Sequence, residues 1–455
     1  MKTIAIPQFY CGPSGQKGLY NRQEVGLARA FAALGCRAVV LYPAPGAAAP
    51  TVENPEPNVK IYYLPVRKLG AQAFFSSWQV LLDEQVDAVH VMGDNSPGVP
   101  SLYRFCRKHG ILFYSQLGAL KSTSGRAVVR AVMDLLLRRN LAVYKKTPTF
   151  AKTPAVAAEL QSLGVPCAGL MPVGLDTAII PDVPGTRADL RRALKLDVDA
   201  KIFVFVGRLD AYKKPLDLVP LLEAAPDWQA VIIGQGTQGA ELARLLAARG
   251  LAARCRMIPQ LPNESVHVYY HACDAFVNLN DQEIFGMSLL EAMFAGCPPV
   301  ARHAPGPDLI IEDGLSGWLC STVPQLAEAL GRVTPEMGAA AQRRINEHFL
   351  WQNSAELALT LLDVLDYMEE VPIVTAYRLT DGSTTTRFPM GKTLDDAQPV
   401  VEKVPGWHCD ITGVHKFEDL PVEAQNYVKR LEELVGCKIK YISVGPERDA
   451  CIVRE

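Results

Sequence analysis

Short apolar runs alternate with helix-patterned segments along most of this chain, and that alternation restricts the fold more than any single motif does. TIAI (3–6), RAVVLY (37–42), DAVHVM (87–92), ILFYS (111–115) and TFA (149–151) are separated by segments such as LARAFAALG, whose apolar residues recur at helical spacing. Strand and helix in turn argue a parallel, doubly wound sheet, since parallel neighbours need a long crossover between them. A second series begins at KIFVFVGRLDAYKKPLDL and continues through QAVIIG (229–234), RCRMIP (254–259) and AFVNL (275–279), with ELARLLAARG and VHVYYHACD between the strands. One such sheet would be too long for all of this. The reading therefore divides the chain near residue 173, into Rossmann-like halves 1–172 and 173–350 that face a cleft.

The segment DQEIFGMSLLEAMFAGCPPV (281–300) carries the strongest chemical signal. It reads as loop, helix and strand, with the helix starting near Gly286 and stopping at Gly296. Glu283 then lies in the loop after a strand and Glu291 about a turn and a half into the helix. The amides of Phe285, Gly286 and Met287 stand near the helix N-terminus, where free N–H groups and the helix dipole seat an anion. Carboxylates accept hydrogen bonds from sugar hydroxyls while amides take a diphosphate, so a nucleotide-sugar suits this combination. An ordinary turn with solvated glutamates is the competing reading. In the second series, Gly207-Arg208 ends the strand IFVFV (202–206) where open α/β sheets bind ligands, and Arg208 with Lys213 or Lys214 can meet phosphate there.

Near the start, Gly12, Gly15 and Gly18 allow backbone to pass close to a ligand, or simply close a β–α turn. Their spacing is neither that of a P-loop nor G-x-G-x-x-G. Composition narrows the class: 455 residues, 49% hydrophobic and 21% charged, suffice for two or three cores, and a net charge of -2 argues against nucleic-acid binding. The 11 cysteines are scattered without metal-ligand or disulfide-framework spacing. With no signal-peptide core and no long apolar span, the expected location is cytoplasmic.

GRLDAYKK, VIIGQG, YYHACDAFVNL, EIFGMSLLEAMFAGCPPVA and IIEDGLSGWLC, in this order, resemble the donor-binding half of the retaining GT4-group glycosyltransferases, which have the GT-B fold. The resemblance covers about residues 200–350, and Glu283 with Glu291 forms the group's E-x7-E. It implies that Glu283 binds donor-sugar hydroxyls, Glu291 the ribose, and Arg208 with Lys213 the diphosphate, making Glu283, Arg208 and Lys213 the catalytic set. Gly12 and Gly15 sit where the group has its glycine-rich loop. PVGLD matches its N-G-V-D segment. Two departures stand out. Lys214 occupies a usual glycine position, and Gln116-Leu117-Gly118 replaces the histidine-glycine of many members. His90 and Asp94 remain near a strand end, with His90 reading as a packed strand residue, and no catalytic histidine is carried over. Leaving-group charge falls to cations and amides, so no cofactor or metal is expected; Asp197 and Asp199 form a D-x-D that precedes a strand and reads as a solvated loop.

Between residues 121 and 152, Lys121, Arg126, Arg130, Arg138, Arg139, Lys145, Lys146 and Lys152 accompany a helical pattern. The expectation is peripheral contact with an anionic membrane at its inner face, against the alternative of a core helix with a solvated basic edge. The resemblance makes the acceptor a glycan or lipid-linked hydroxyl.

From about residue 359 to 455 the chain instead resembles the C-terminal end of adenylosuccinate synthetase, on LTLLDVLDYMEEVPIVTAYRL, PGWHCDI and DLPVEAQNYVKRLEELVGCKIKYISVGPER. That resemblance implies a base-binding role for Asp363, Ser443 and Gly445. Leu361 stands in place of the base-reading motif's lysine, and the synthetase's phosphate loop has no counterpart. The expected organisation is thus a closing helix at 351–370 and a small α+β tail at 371–455, behind a glycosyltransferase. A non-catalytic nucleotide-binding or assembly protein is the rival reading, and purine-nucleotide ligation a third.

Overall fold

A computed structural model describes residues 2–11, 22–92, 96–118, 120, 137–352, 365, 368–379, 382–386, 397–435, 439, 441–445 and 451–454. The chain forms two compact units, Met1–Ser354 and Ala355–Glu455.

The first unit is built on two sheets. The N-terminal one contains β1 (Thr3–Pro7), β2 (Arg37–Pro45), β3 (Thr51–Glu56), β4 (Val59–Leu69), β5 (Gln72–Phe75), β6 (Ala88–Val91), β7 (Leu112–Leu117), β8 (Thr149–Ala151) and β9 (Gly169–Leu170), in the order β3-β4-β2-β1-β6-β7-β8-β9 with β5 on β4. β1 is central because both its faces are covered: Ala5 and Ile6 are buried and it pairs in parallel with β2 and β6. The sheet is not wholly parallel as expected. β3 and β5 run antiparallel to β4. The apolar-run reading passed over this hairpin edge because TVENPE is exposed along its whole length and β4 frays into exposed Arg67 and Lys68.

The second sheet follows the expected series closely. β10 (Lys201–Val206), β11 (Trp228–Ile233), β12 (Cys255–Ile258), β13 (Ala275–Asn278), β14 (Pro299–Arg302) and β15 (Trp318–Cys320) form the order β12-β11-β10-β13-β14-β15, and each described pairing is parallel. The order reverses between β10 and β13, and in open α/β sheets the carboxyl ends of the strands at such a reversal are where ligands bind. That is where the loops after Val206 and Asn278 meet. Where the halves join, residues on either side of Leu175 run beside Phe349–Trp351: Leu175 N–H donates to the Phe349 carbonyl at 2.7 Å, and Trp351 is 1% exposed. Asp176 adds an ion pair to Arg29 on the helix Gln23–Ala33.

In the second unit, β16 (Glu370–Arg378) is flanked antiparallel by β17 (Thr384–Thr385) and β18 (Gln398–Pro405), and β19 (Tyr441–Ser443) pairs with β20 (Cys451–Val453). Val371, Ile373, Trp407, Ile411, Phe417, Val428 and Ile442 are buried together in its own core, to which the helix Val422–Val435 contributes. The β18 segment QPVVEKVP does not read as an apolar run because it is bounded by prolines.

Candidate functional site

The loop that follows β13 is shaped by its own side chains. Asn278 Oδ1 accepts from the Asn280 amide at 3.0 Å, and Asn280 Oδ1 accepts from the Gln282 amide at 3.0 Å, two successive turns closed by asparagine. Asn280 Nδ2 then donates to Glu283 Oε2 at 3.2 Å. The turn ends at Gly286, whose φ of 97° lies in the left-handed region. Opposite it, Gly306 admits the backbone of Phe285, since a Cβ there would fall 2.2 Å from the Phe285 carbonyl oxygen. The helix Met287–Phe294 follows, and its N-cap Gly286 offers no side-chain acceptor. Among the described residues, the amides of Phe285, Gly286 and Met287 donate to no protein group. Free N–H groups at a helix start are of the kind that can receive an anion.

Across from this loop stands the segment after β10. Lys213 makes an ion pair with Glu283 Oε2, the pair being 19% and 13% exposed at the side chains. Lys214 pairs with Asp281. Arg208 Nη2 lies 2.5 Å from Asp210 Oδ2, and its own side chain is 68% exposed. Asp210 is fixed in turn, accepting from the Thr237 amide at 2.9 Å and its hydroxyl at 2.8 Å; the Thr237 amide bond leads the effects that hold the carboxyl below its ordinary range. Tyr212 lies within electrostatic reach of both Arg208 and Glu283. Lys213 and Glu283, both singled out from the sequence, are thus in contact, and Arg208 stands on the same segment as Lys213, held by Asp210.

Glu291 occupies a different environment. It is 2% exposed, receives hydrogen bonds from Asn263 Nδ2 at 3.0 Å and Tyr270 Oη at 3.1 Å, and burial pushes its pKa up to about 7 against the pull of those two donors. It lines a cavity between the halves with Gln23, Asp176, Asn263, Met287 and Trp351. His267 also lines it, its pKa lowered to about 4 by burial.

On the N-terminal side, Gly12, Gly15 and Asp94 lie outside the described residues. Glu24, which follows that glycine-rich stretch, is buried, accepts from Gln8 Nε2 at 2.6 Å and Tyr42 Oη at 3.1 Å, and has its pKa raised by burial. His90 is wholly buried with its pKa lowered to about 3 by burial, which fits a neutral packed strand residue. Gln116 is buried too; its Nε2 donates to the carbonyls of Met171 at 2.7 Å and Pro172 at 3.0 Å, tying β7 to the segment that leads into the second half. Gly118 faces Lys152 and Ile284, so the loop bearing Glu283 touches the N-terminal half here. Lys152 thereby leaves the basic surface with which the sequence groups it. Arg138, Arg139, Lys145 and Lys146 are exposed, while Lys121, Arg126 and Arg130 lie outside the described residues.

Asp197 and Asp199 are exposed in the loop before β10, and among the described residues no group of acidic, histidine or cysteine side chains is arranged to hold a metal ion. No helix of the described residues is long and apolar enough to cross a membrane. In the tail, Ser443 Oγ donates to the Gly445 carbonyl at 3.2 Å, and Asp363 lies outside the described residues.

Residues 186–336, which contain Arg208, Lys213, Glu283 and Glu291, match the family of glycosyl transferases group 1. This segment is thus similar to group 1 glycosyltransferase domains. The GT-B fold around it is that of sucrose-phosphate synthase from Thermosynechococcus elongatus, 21% identical with a TM-score of 0.61 over 78% of this chain and 96% of that one. Anabaena HepE in complex with UDP-glucose is similar as well, 17% identical with a TM-score of 0.59 over 78% of this chain and 99% of that one. Residues 343–452 match adenylosuccinate synthetase. Over 97 residues this end is 48% identical to the adenylosuccinate synthetase of Geotalea uraniireducens, 21% of this chain and 22% of the relative. The chain therefore spans about a fifth of the length of the curated synthetases it matches.

Sequence reasoning missed the residues that hold the two glutamates. Asn280, Asn263 and Tyr270 act through side-chain contacts across 3 to 28 positions, and only the closely spaced Asn278 and Asn280 gave a local sign of a built turn. Asp281 was likewise legible only as a loop acid.

Proposed function

We propose that this group 1 domain binds a UDP-sugar and moves its sugar to an acceptor hydroxyl with retention of configuration. The observation that carries the reading is the contact of Lys213 with Glu283 beside the open amides of Phe285, Gly286 and Met287: phosphate-binding and hydroxyl-binding groups meet at one crevice. Arg208 and Lys213 would take the diphosphate, Glu283 the sugar and Glu291 the ribose, as the family resemblance implies. Diphosphate departure is eased by charge-assisted bonds from the two cations and by the helix amides, none of which needs a metal. The departing phosphate oxygen would accept the acceptor's proton from the same face. UDP as the nucleotide is supported by the likeness to HepE, whose structure holds UDP-glucose.

The acceptor in this reading is a glycan or lipid-linked hydroxyl, presented at the inner face of an anionic membrane to which exposed Arg138, Arg139, Lys145 and Lys146 are attracted. The tail serves solubility or assembly, since ligation of IMP and aspartate would need the phosphate loop absent from this sequence. A thermal-shift screen of UDP-, GDP- and ADP-sugars on the full chain tests the donor. A donor at 100-fold its dissociation constant should stabilise by about 2.7 kcal/mol. No shift with any of them, alongside no release of labelled sugar, would favour the rival reading of a GT-B scaffold that has lost transfer.

A further inference from the structure

Two adjacent lysines cross to two acids that lie two positions apart. Lys213 pairs with Glu283, and Lys214 with Asp281, 67 residues further on. Lys214 does so from φ 52°, a left-handed conformation that glycine adopts freely and a side-chain-bearing residue adopts at a cost. Here a strained residue holds a place where glycine would sit unstrained. What it gains is the ammonium directed at Asp281.

We propose that Lys214 and Asp281 form a clamp that holds the Glu283 loop in register with the Arg208–Lys213 loop, making Lys214 a positioning residue for the donor sugar. The inference rests on the donor reading above. Side chains 34% and 40% exposed make a weak ion pair on their own, so the consequence lies in registration. A diphosphate arriving at Lys213 competes for the ammonium that now rests on Glu283. Once that contact loosens, the Lys214–Asp281 pair still joins the two loops by charge, and Glu283 stays where the sugar hydroxyls will be. The clamp also fixes which lysine goes to which acid: with Asp281 neutral, Lys214 is freed to compete with Lys213 for Glu283. Arg208 and Lys213 sit on their own segment and reach the diphosphate without it.

This predicts a split that loss of folding would not produce. In Lys214→Met and Asp281→Asn, calorimetry should show UDP-glucose bound about twofold to fivefold more weakly, UDP nearly unchanged, and the double variant no weaker than either single one. Lys214→Arg should restore UDP-glucose affinity. Lys214→Gly, which relieves the backbone, should still bind it weakly. Hydrogen exchange of the ligand-free full chain gives an independent readout: the hydrogen-bonded amides that hold the Glu283 loop, those of Asn280, Gln282 and Gly306, should exchange faster in Lys214→Met and Asp281→Asn, and at wild-type rates in Lys214→Arg. Unchanged exchange in both neutral variants, or equal weakening of UDP and UDP-glucose, would overturn the clamp. A wild type that fails to bind UDP-glucose while the exchange difference persists would overturn the donor reading and leave the clamp standing.

Discussion

Replacing Glu291 by Gln should remove a pH dependence that the fold itself imposes. The carboxyl is buried between the helix Met287–Phe294 and the side chains of Asn263 and Tyr270, and its pKa stands at about 7 against an ordinary 4.5. Between those two values the native chain keeps a proton that the unfolded chain has lost. Protons favour the folded state across that window, so stability is greatest below about 4.5, falls as pH rises, and levels off above about 7. A displacement of this size corresponds to about 3 kcal/mol at 1.36 kcal/mol per unit. Urea denaturation of wild type and Glu291→Gln from pH 5 to 8 should show the wild type losing stability relative to the variant by about 2.5 kcal/mol, since part of the loss lies below pH 5. Donor binding should move the other way. Ribose hydroxyls donate to the ionised carboxylate, which at a pKa of about 7 is roughly ten times more populated at pH 8 than at pH 6, so affinity for UDP-glucose, whose esterified diphosphate does not titrate in this range, should rise by about that factor in the wild type and stay flat in Glu291→Gln. A stability difference independent of pH would refute the burial argument, and a UDP-glucose affinity that ignores pH in both proteins would refute the ribose role.

Arg208→Ala should weaken UDP and UDP-glucose alike, by about 1.5–3 kcal/mol for a lost charge-assisted bond, whereas Glu283→Ala should weaken UDP-glucose and leave UDP nearly unaffected; calorimetry on both ligands checks this, and an Arg208→Ala protein with unchanged affinities would end the phosphate assignment. Liposome co-sedimentation should rise with anionic lipid and fall with salt, and neutralising Arg138, Arg139, Lys145 and Lys146 together should lower it, equal sedimentation of the two proteins being the contrary result. The full chain should form no adenylosuccinate from IMP, aspartate and GTP in a direct product assay, and any product would overturn the view of the tail as a segment without its phosphate loop.

The second half of the first unit was legible because its strands are buried on both faces and therefore read as apolar runs between helical patterns, as IFVFV and QAVIIG do. β3 was not, because a strand exposed along its whole length has no burial to pattern its residues, and β5, only four residues long, is too short to show a period. Glu283 and Glu291 announced themselves by spacing around a helix start. Their difference in character did not, since it depends on Lys213, 70 positions from Glu283, and on Asn263, 28 positions from Glu291. Lys214 was visible as a departure from the group's glycine; that it occupies a left-handed conformation and reaches Asp281 is a property of the folded loops alone.

Proton NMR of labelled UDP-glucose incubated with the full chain shows whether sugar leaves the nucleotide with retention of configuration, as proposed. With water as the slow acceptor, the first glucose observed should be the α anomer, and Glu283→Ala should abolish its appearance while UDP still binds. Initial release of the β anomer, or release undiminished in Glu283→Ala, would contradict the account.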